Sequence, residues 1–423
     1  MIDDEAVNRE RWRTATREQI LAHQLERLNV LLADAIQTQP FYQAKLAHVS
    51  LPLVDMSQFA ALPFLEKSEL SSALPATICG WKRNRYVHAH QTSGTTGNPI
   101  LVLDSAQDWQ WWLSTWQYVL DAAQVTTSDT AFMAFSYGPF IGFWSAHDAL
   151  IQRGALVVPG GGMTSLARLH AIAACDATIL CCTPTYALHL ATVAKQAGIN
   201  ITESAISRII VAGETGGSIP EVRQRIETAW GASVIDHCGA TEVGPWGVGN
   251  RSGTGVHVIE SEFIAETLIF DAKSPSGRNA NPGELAELVF TGLGRHGAPA
   301  IRYRTGDLVR AEPSSDPENQ FMFLRGGVVG RIDDMVVIRG VNVFPASVEA
   351  IIRRVAGDAE YRVSRSRHQE MEQLRIEVEG DVATSRRLDD AFREQLGLRI
   401  EVTSVDNGTL PRFEAKAKRW VTS

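Results

Sequence analysis

The chain has 423 residues, of which 44% are hydrophobic and 21% charged, and a formal net charge of −8. That length exceeds what one hydrophobic core usually supports, so two domains are expected, and the ordinary globular composition excludes a disordered or fibrous polymer. The acidic balance is offset by no basic block, since Lys82-Arg83-Asn84-Arg85 is only a short turn-like fragment, and this excludes a nucleic-acid footprint.

The N-terminus, Met1-Ile2-Asp3-Asp4-Glu5, is acidic with no apolar signal core after it, and no uninterrupted apolar run of 18 residues occurs. A cytoplasmic protein with no membrane partner is expected. Residues 8 to 38 alternate apolar and charged positions at helical spacing, with Leu21, Leu25, Leu28, Leu32 and Ile36 in one stripe, which predicts an amphipathic helix covering a core. From about 87 to 330, short β-rich apolar runs alternate with helical stretches. Thr130 to Phe135, Ala155 to Pro159, Thr178 to Cys182, Ile209 to Ala212 and Ser233 to Asp236 read as strands, and Ala106 to Gln124 and Pro220 to Trp230 as helices. Strands apolar throughout and separated by helices predict a parallel sheet covered on both faces. A Pro/Ser/Asp/Asn-rich segment, Glu312 to Asn319, leads to a small α+β unit with a helix at Ala346 to Val355. Strands are expected there near Tyr361 to Ser364, Leu374 to Glu379 and Ile400 to Val405. The predicted division is a large domain over residues 1–330 and a small domain over 331–423. Cys79, Cys175, Cys181, Cys182 and Cys238 form no C-x-x-C pair and sit in apolar or Gly-rich surroundings, so reduced, buried thiols are expected.

The most informative run is Thr92-Ser93-Gly94-Thr95-Thr96-Gly97-Asn98-Pro99. Its glycines let backbone N–H groups converge on an anion, and its hydroxyls add donors without bulk, so it reads as a phosphate cradle, with a polar hairpin turn as the plain alternative. Gly97 is followed by Asn98-Pro99, not Lys-Ser/Thr, which disfavours a Walker loop. Three further segments follow in order: His237-Cys238-Gly239-Ala240-Thr241-Glu242, Tyr303-Arg304-Thr305-Gly306-Asp307 and Gly330-Arg331-Ile332-Asp333-Asp334-Met335. Together the four resemble the adenylate-forming enzymes, the superfamily of acyl-CoA synthetases, peptide-synthetase adenylation domains and luciferases. Tyr137-Gly138-Pro139-Phe140, Thr183-Pro184-Thr185-Tyr186, Gly213-Glu214 and Gly340-Val341-Asn342-Val343-Phe344-Pro345 resemble its phenylacetate-CoA ligase branch.

The resemblance implies an α/β fold: a large N-terminal domain with mostly parallel sheets covered by helices, and a small mobile α+β C-terminal domain. It implies that an aromatic monocarboxylic acid attacks the α-phosphorus of ATP, that pyrophosphate leaves, and that the acyl-adenylate passes its acyl group to coenzyme A with release of AMP. Ser93, Gly94, Thr95, Thr96 and Gly97 would grip the β- and γ-phosphates. Thr241 would touch the α-phosphate and Glu242 would hold Mg²⁺, a hard cation that prefers oxygen ligands; a capped helix N-terminus would present the same residues. Gly213, Glu214, His237, Cys238 and Gly239 would line the nucleotide. Cys238 stands where the family usually places an adenine-stacking aromatic, and His237 could equally point into the acyl pocket. Asp307 would accept the ribose hydroxyls, Arg331 would support ribose and phosphate, and Asp333 matches the hinge. Lys416, in Leu410-Pro411-Arg412-Phe413-Glu414-Ala415-Lys416-Ala417-Lys418-Arg419, matches the lysine that bridges carboxylate and α-phosphate. Lys418 is the neighbouring alternative, and a basic solvated tail the plain one.

Phe135, Tyr137, Phe140, Ile141, Gly213, Gly239, Ala240, Pro245 and Trp246 would form the acyl pocket, whose aromatic side chains suit a flat ring or a short branched acid, although each also suits core packing. Many relatives in the branch carry a Cys/His zinc site; the corresponding Gly249-Asn250-Arg251-Ser252 and Pro313-Ser314-Ser315-Asp316 have no cysteine, so no structural zinc is expected. A homodimer through the large domain is implied. The same motifs would serve a stand-alone adenylating enzyme that loads a carrier-protein phosphopantetheine or an amine. A non-catalytic nucleotide-binding protein on a decayed ligase fold is the remaining alternative.

Overall fold

A run such as Ile179–Cys182, buried at every position, is stable only in a sheet covered on both faces. In the computed structural model, which describes residues 2–92, 99–135, 137–271, 274–338, 341–368, 371–412 and 419–422, this strand is the centre of five that pair in parallel, the edge strand Leu156–Pro159 being partly exposed. Their order is Leu156–Pro159, Thr130–Met133, Ile179–Cys182, Arg208–Val211 and Ser233–Ala240. The helices Ile141–Arg153, Ser165–Ala174, Pro184–Gln196 and Pro220–Trp230 make the crossovers that parallel pairing requires. The cradle residues Ser93 to Asn98 and the segment 413–418, with Lys416 and Lys418, lie outside the described residues.

The sheet extends further than the sequence indicated. Beyond Ser233–Ala240 it continues antiparallel through Gly244–Gly249, Gly255–Val258, Phe323–Arg325, Tyr303–Glu312, Leu285–Gly292, Phe263–Asp271 and Ser274–Asn279; with Gly330–Arg331, which also pairs with Tyr303–Glu312, the mixed sheet has 13 strands among the described residues. The strand Gly244–Gly249 reads Gly-Pro-Trp-Gly-Val-Gly and has almost no β-branched signal, yet all six of its residues are buried.

Residues 8 to 38 form not one helix but parts of two, Ile2–Arg13 and Arg17–Thr38. Thr16 starts the second with a capping box, in which Gln19 Oε1 accepts from the Thr16 N–H at 2.9 Å. The buried face is Ile20, Gln24, Leu28, Leu31, Leu32 and Ala35, rotated away from the leucine stripe. Gln24 turns inward because its amide donates to the carbonyls of Glu260 and Phe263 at 2.8 and 2.9 Å.

Buried side chains form three clusters. One joins the N-terminal helices, the Trp-rich helix Ala106–Ala122 and the antiparallel half of the sheet. A second lies between the parallel strands and the helices Pro184–Gln196 and Pro220–Trp230. The third contains only residues from Val336 onward. Here a four-stranded sheet, ordered Glu401–Val405, Met371–Glu379, Tyr361–His368 and Trp420–Thr422, packs with the helices Pro345–Ala356 and Val382–Leu396. The helix Val382–Leu396 is absent from the sequence reading because Leu388 and Phe392 are its only large buried anchors in a charged stretch. Arg225 pairs with Asp358, and Arg354 with Glu221 at 3.6 Å, between this unit and the helix Pro220–Trp230.

Candidate active site

The carboxyl ends of parallel strands are where an open α/β sheet presents loops to a ligand. Phe135 follows Thr130–Met133, Gly213 follows Arg208–Val211, and His237, Gly239 and Ala240 end Ser233–Ala240. That last strand is parallel to one neighbour as far as the pair Val211↔Asp236 and antiparallel to the other from His237↔Val248 onward. Its register shifts between Cys238 and Ala240, a bulge of the kind that redirects side chains beside a site. These loops enclose a cavity of about 740 Å³.

One end of the cavity is polar. Asp307, on Tyr303–Glu312, pairs directly with Arg331. Arg331 donates from Nη1 to Asp307 Oδ1 at 2.6 Å, from Nε to Asp333 Oδ1 at 2.9 Å and from Nη2 to the Thr305 carbonyl at 3.2 Å. Gly306 sits at φ +74°, and a side chain there would come within 3.3 Å of Arg331 Nη2, so glycine allows the strand to adopt this conformation under the guanidinium. Burial pushes the Asp307 carboxyl up to about 6 against the opposing charge of Arg331. Glu242 is buried on the cavity wall, and one of its oxygens accepts from the Tyr303 hydroxyl at 3.3 Å. Its other oxygen has no hydrogen-bond partner among the described residues, which leaves a hard donor suited to Mg²⁺.

Beneath Thr241 lies an ion pair that the sequence did not reveal. Arg295 and Asp104 are both fully buried and paired two-fold, Nε to Oδ1 at 2.7 Å and Nη2 to Oδ2 at 2.8 Å. The remaining arm of Arg295, Nη1, donates to the Thr241 carbonyl at 2.7 Å. The signal that existed was an arginine in the glycine-flanked run Gly294-Arg295-His296-Gly297.

The other end is apolar. Phe135, Phe140, Ile141, Gly239 and Ala240 line the cavity as expected from the sequence, together with Trp112, Trp116, Phe143 and Cys181, which were not foreseen there. Trp112 and Trp116 lie one turn apart on Ala106–Ala122, a spacing that in sequence reads only as a core stripe. His237 stands with this group: its ring centroid is 4.3 Å from that of Trp116, and Nδ1 is 2.8 Å from the Gly247 carbonyl oxygen.

Five of the proposed site residues do not line the cavity. Cys238 precedes Gly239 on the strand and pairs with Gly247. Glu214 points its carboxylate at the Thr185 N–H, 2.7 Å away, in the first turn of Pro184–Gln196, where the helix dipole favours an anion. Tyr137 packs on Trp144 at 4.8 Å, and its hydroxyl is buried without a partner among the described residues. Pro245 is buried, and Trp246, 1% exposed, packs on Phe290 at 4.9 Å. Among the described residues no cluster of three or more His, Cys, Asp or Glu is placed to hold a metal ion, and no helix is long and apolar enough to cross a membrane. All five cysteines are free.

A cavity with a carboxylate–guanidinium cluster at one end and aromatic walls at the other can hold a polar nucleotide and an apolar acid end to end. Residues 21–269 match the family described as AMP-binding enzyme, and residues 340–423 match the AMP-binding enzyme C-terminal domain. The phenylacetate-coenzyme A ligase of Pseudomonas putida is 29% identical over 423 residues, covering 96% of this chain and 94% of that protein. The protein of the same name from Escherichia coli (strain K12) is 28% identical, with 96% and 95% covered. Among solved structures, 2-hydroxyisobutyryl-CoA ligase in the postadenylation state, in complex with R3-HIB-AMP, aligns with a TM-score of 0.89 at 24% identity, covering 98% of this chain and 91% of that one. The same ligase in the thioesterification state, in complex with 2-HIB-AMP and CoA, aligns at 0.72 and 25%, covering 97% and 91%.

Proposed function

The chain belongs to the AMP-binding enzyme family, and from that membership and the shape of the cavity we propose that it is an AMP-forming acid:CoA ligase of the phenylacetate-CoA ligase-like branch. Its substrate is an aromatic monocarboxylic acid. The carboxylate attacks the α-phosphorus of ATP and pyrophosphate departs; the thiol of coenzyme A then attacks the acyl carbonyl of the adenylate and AMP departs. The observation that carries the reading is the single cavity in which Glu242, Asp307 and Arg331 share a wall with Phe135, Trp112 and Trp116.

In this scheme Asp307 accepts the ribose hydroxyls while Arg331 holds its carboxylate in place. Thr241, anchored through its carbonyl by Arg295, meets the α-phosphate. Glu242 would hold Mg²⁺, which would supply charge neutralisation at the phosphates. Ser93, Thr95 and Thr96 grip the β- and γ-phosphates, and Lys416 bridges the two reactants where their mutual repulsion is greatest.

The higher TM-score against the postadenylation state than against the thioesterification state, 0.89 versus 0.72, supports a small domain, residues 331–423, that turns about Asp333 between the two half-reactions. A homodimer through the large domain and a cytoplasmic location belong to the same proposal. Lys416→Ala tests it: acid-dependent pyrophosphate release is lost, while thioester formation from a supplied acyl-adenylate survives. Equal loss of both half-reactions contradicts the role of Lys416, and a larger effect from Lys418→Ala transfers the role to that residue.

A further inference from the structure

Ser145, Trp112 and His237 each bring a polar group to the apolar part of the cavity lining, and that of His237 has a specific requirement. His237 is 6% exposed, lines the cavity, and has Nδ1 2.8 Å from the Gly247 carbonyl oxygen. A carbonyl can only accept, so Nδ1 carries the proton, and Nε2 of the neutral ring is left as an acceptor. Burial holds the ring's pKa down to about 4, which keeps it neutral at physiological pH.

Among the described residues no neighbour supplies the missing donor. The ring beside it belongs to Trp116, whose Nε1–H is committed to Ser145 Oγ at 3.0 Å. The Ser145 hydroxyl in turn donates to the Gly142 carbonyl at 3.2 Å. Among the described residues Nε2 has no hydrogen-bond partner, and it stands on the cavity wall as an acceptor available to a bound molecule. Nε2 borders the space next to Gly239, where an added Cβ would lie 3.4 Å from it. The same Cβ would lie 3.1 Å from the Gly244 carbonyl oxygen and 3.2 Å from Pro245 Cα, so glycine at 239 lets the neighbouring strand and the imidazole approach closely. The four-residue separation sets an upper limit of roughly 13 Å between His237 and Thr241, which the bulge shortens, and both residues line the cavity, so an aryl acid whose carboxylate reaches Thr241 can bring its far end toward His237.

We infer that the acid carries a neutral hydrogen-bond donor, a hydroxyl or an aromatic amine, remote from its carboxylate, and that His237 Nε2 accepts from it. The inference rests on the ligase reading above. An ammonium does not fit as well, because among the described residues the carboxylates lining the cavity are Glu242, Asp307 and Asp333, which belong to the polar end.

The test compares matched acids on the wild-type enzyme: a ring-hydroxylated arylacetate, its ring-methyl isostere and the unsubstituted parent, with a short hydroxyalkyl acid and its methyl isostere as a second set. The readout is kcat/KM for acid-dependent pyrophosphate release. A site built to bond a hydroxyl should prefer the hydroxylated member by roughly 10–100-fold over its methyl isostere, and the set that shows the preference identifies whether the donor is on a ring or on an alkyl chain. In His237→Phe the ratio between hydroxylated and methylated acids should fall to within roughly threefold, whatever the absolute rate of the variant. The wild-type comparison needs no variant to fold. Equal use of hydroxylated and methylated acids by the wild type, or an undiminished preference in His237→Phe, overturns the inference and leaves the ligase reading standing. Failure of every acid to release pyrophosphate overturns the ligase reading and this inference with it.

Discussion

Asp104→Asn probes the support under Thr241. The native carboxylate and the Arg295 guanidinium are both 0% exposed and joined by two charge-assisted hydrogen bonds of 2.7 and 2.8 Å. Asparagine has nearly the same shape but no charge, and its NH₂ group must face a guanidinium N–H. Removing one partner of a buried ion pair costs about 3–5 kcal/mol, because the other charge stays buried and unpaired. For a large domain each kcal/mol shifts the midpoint by about 2 °C, so Asp104→Asn should melt roughly 6–10 °C below wild type. Arg295 is then free to shift, and its 2.7 Å bond to the Thr241 carbonyl loosens, so acid-dependent pyrophosphate release should fall as well when assayed well below the lowest melting temperature. The double variant Asp104→Leu/Arg295→Met removes both charges and should recover most of the stability. It restores no anchor for Thr241, so its activity should stay low. Thermal and urea melts beside the pyrophosphate assay separate the two effects. A wild-type midpoint in Asp104→Asn, or full activity in the double variant, refutes the argument.

Three further substitutions address the polar end and the hinge. Glu242→Gln removes a negative oxygen ligand, so activity should drop by at least roughly tenfold and recover in part at high magnesium; unchanged activity and magnesium dependence would leave Glu242 as a partner of Tyr303 only. Asp333→Pro fixes φ near about −65° and should spare adenylate formation while suppressing thioester transfer, with little change in the melt; normal rates for both half-reactions would move the hinge elsewhere. For Asp307→Asn the sign follows from a folded pKa raised to about 6. The native state binds this proton more tightly than the unfolded chain, so the group destabilises progressively as pH rises from about 4 to about 6, and fully above that. The variant's stability relative to wild type should therefore increase through that window and level off, as urea midpoints at about pH 4.5, 6 and 7.5 would register; a pH-independent difference contradicts it.

The parallel half of the sheet was readable because burial on both faces demands continuous apolar runs such as Ile179–Cys182, and the helix Pro220–Trp230 because a proline opens it and a glycine in the left-handed region closes it. Asp307 and Arg331 came from separate motifs and stand on paired strands. What escaped depends on partners distant in sequence. Gly244–Gly249 is a strand because its neighbours supply the pairing, and Gln24 is buried because two carbonyls far along the chain need its amide. Glu214 shares a loop with Gly213 but points to a helix N-terminus, a direction that spacing cannot encode. The two orientations open to His237 are separated by the carbonyl of Gly247, a main-chain group with no side-chain signature. Trp116 and Trp246 look alike in sequence, yet one borders the cavity and the other fills the core beside Phe290.

In the proposed reaction one site makes an acyl-adenylate and then passes its acyl group to a thiol. Its most direct measurement is acid-dependent exchange of labelled pyrophosphate into ATP without coenzyme A, followed by addition of coenzyme A and quantitation of AMP and thioester. The account predicts exchange with an aryl acid in the absence of coenzyme A, and equal amounts of AMP and acyl-CoA once coenzyme A is supplied. Formation of ADP and phosphate in place of AMP and pyrophosphate, or no exchange with any acid, would contradict it.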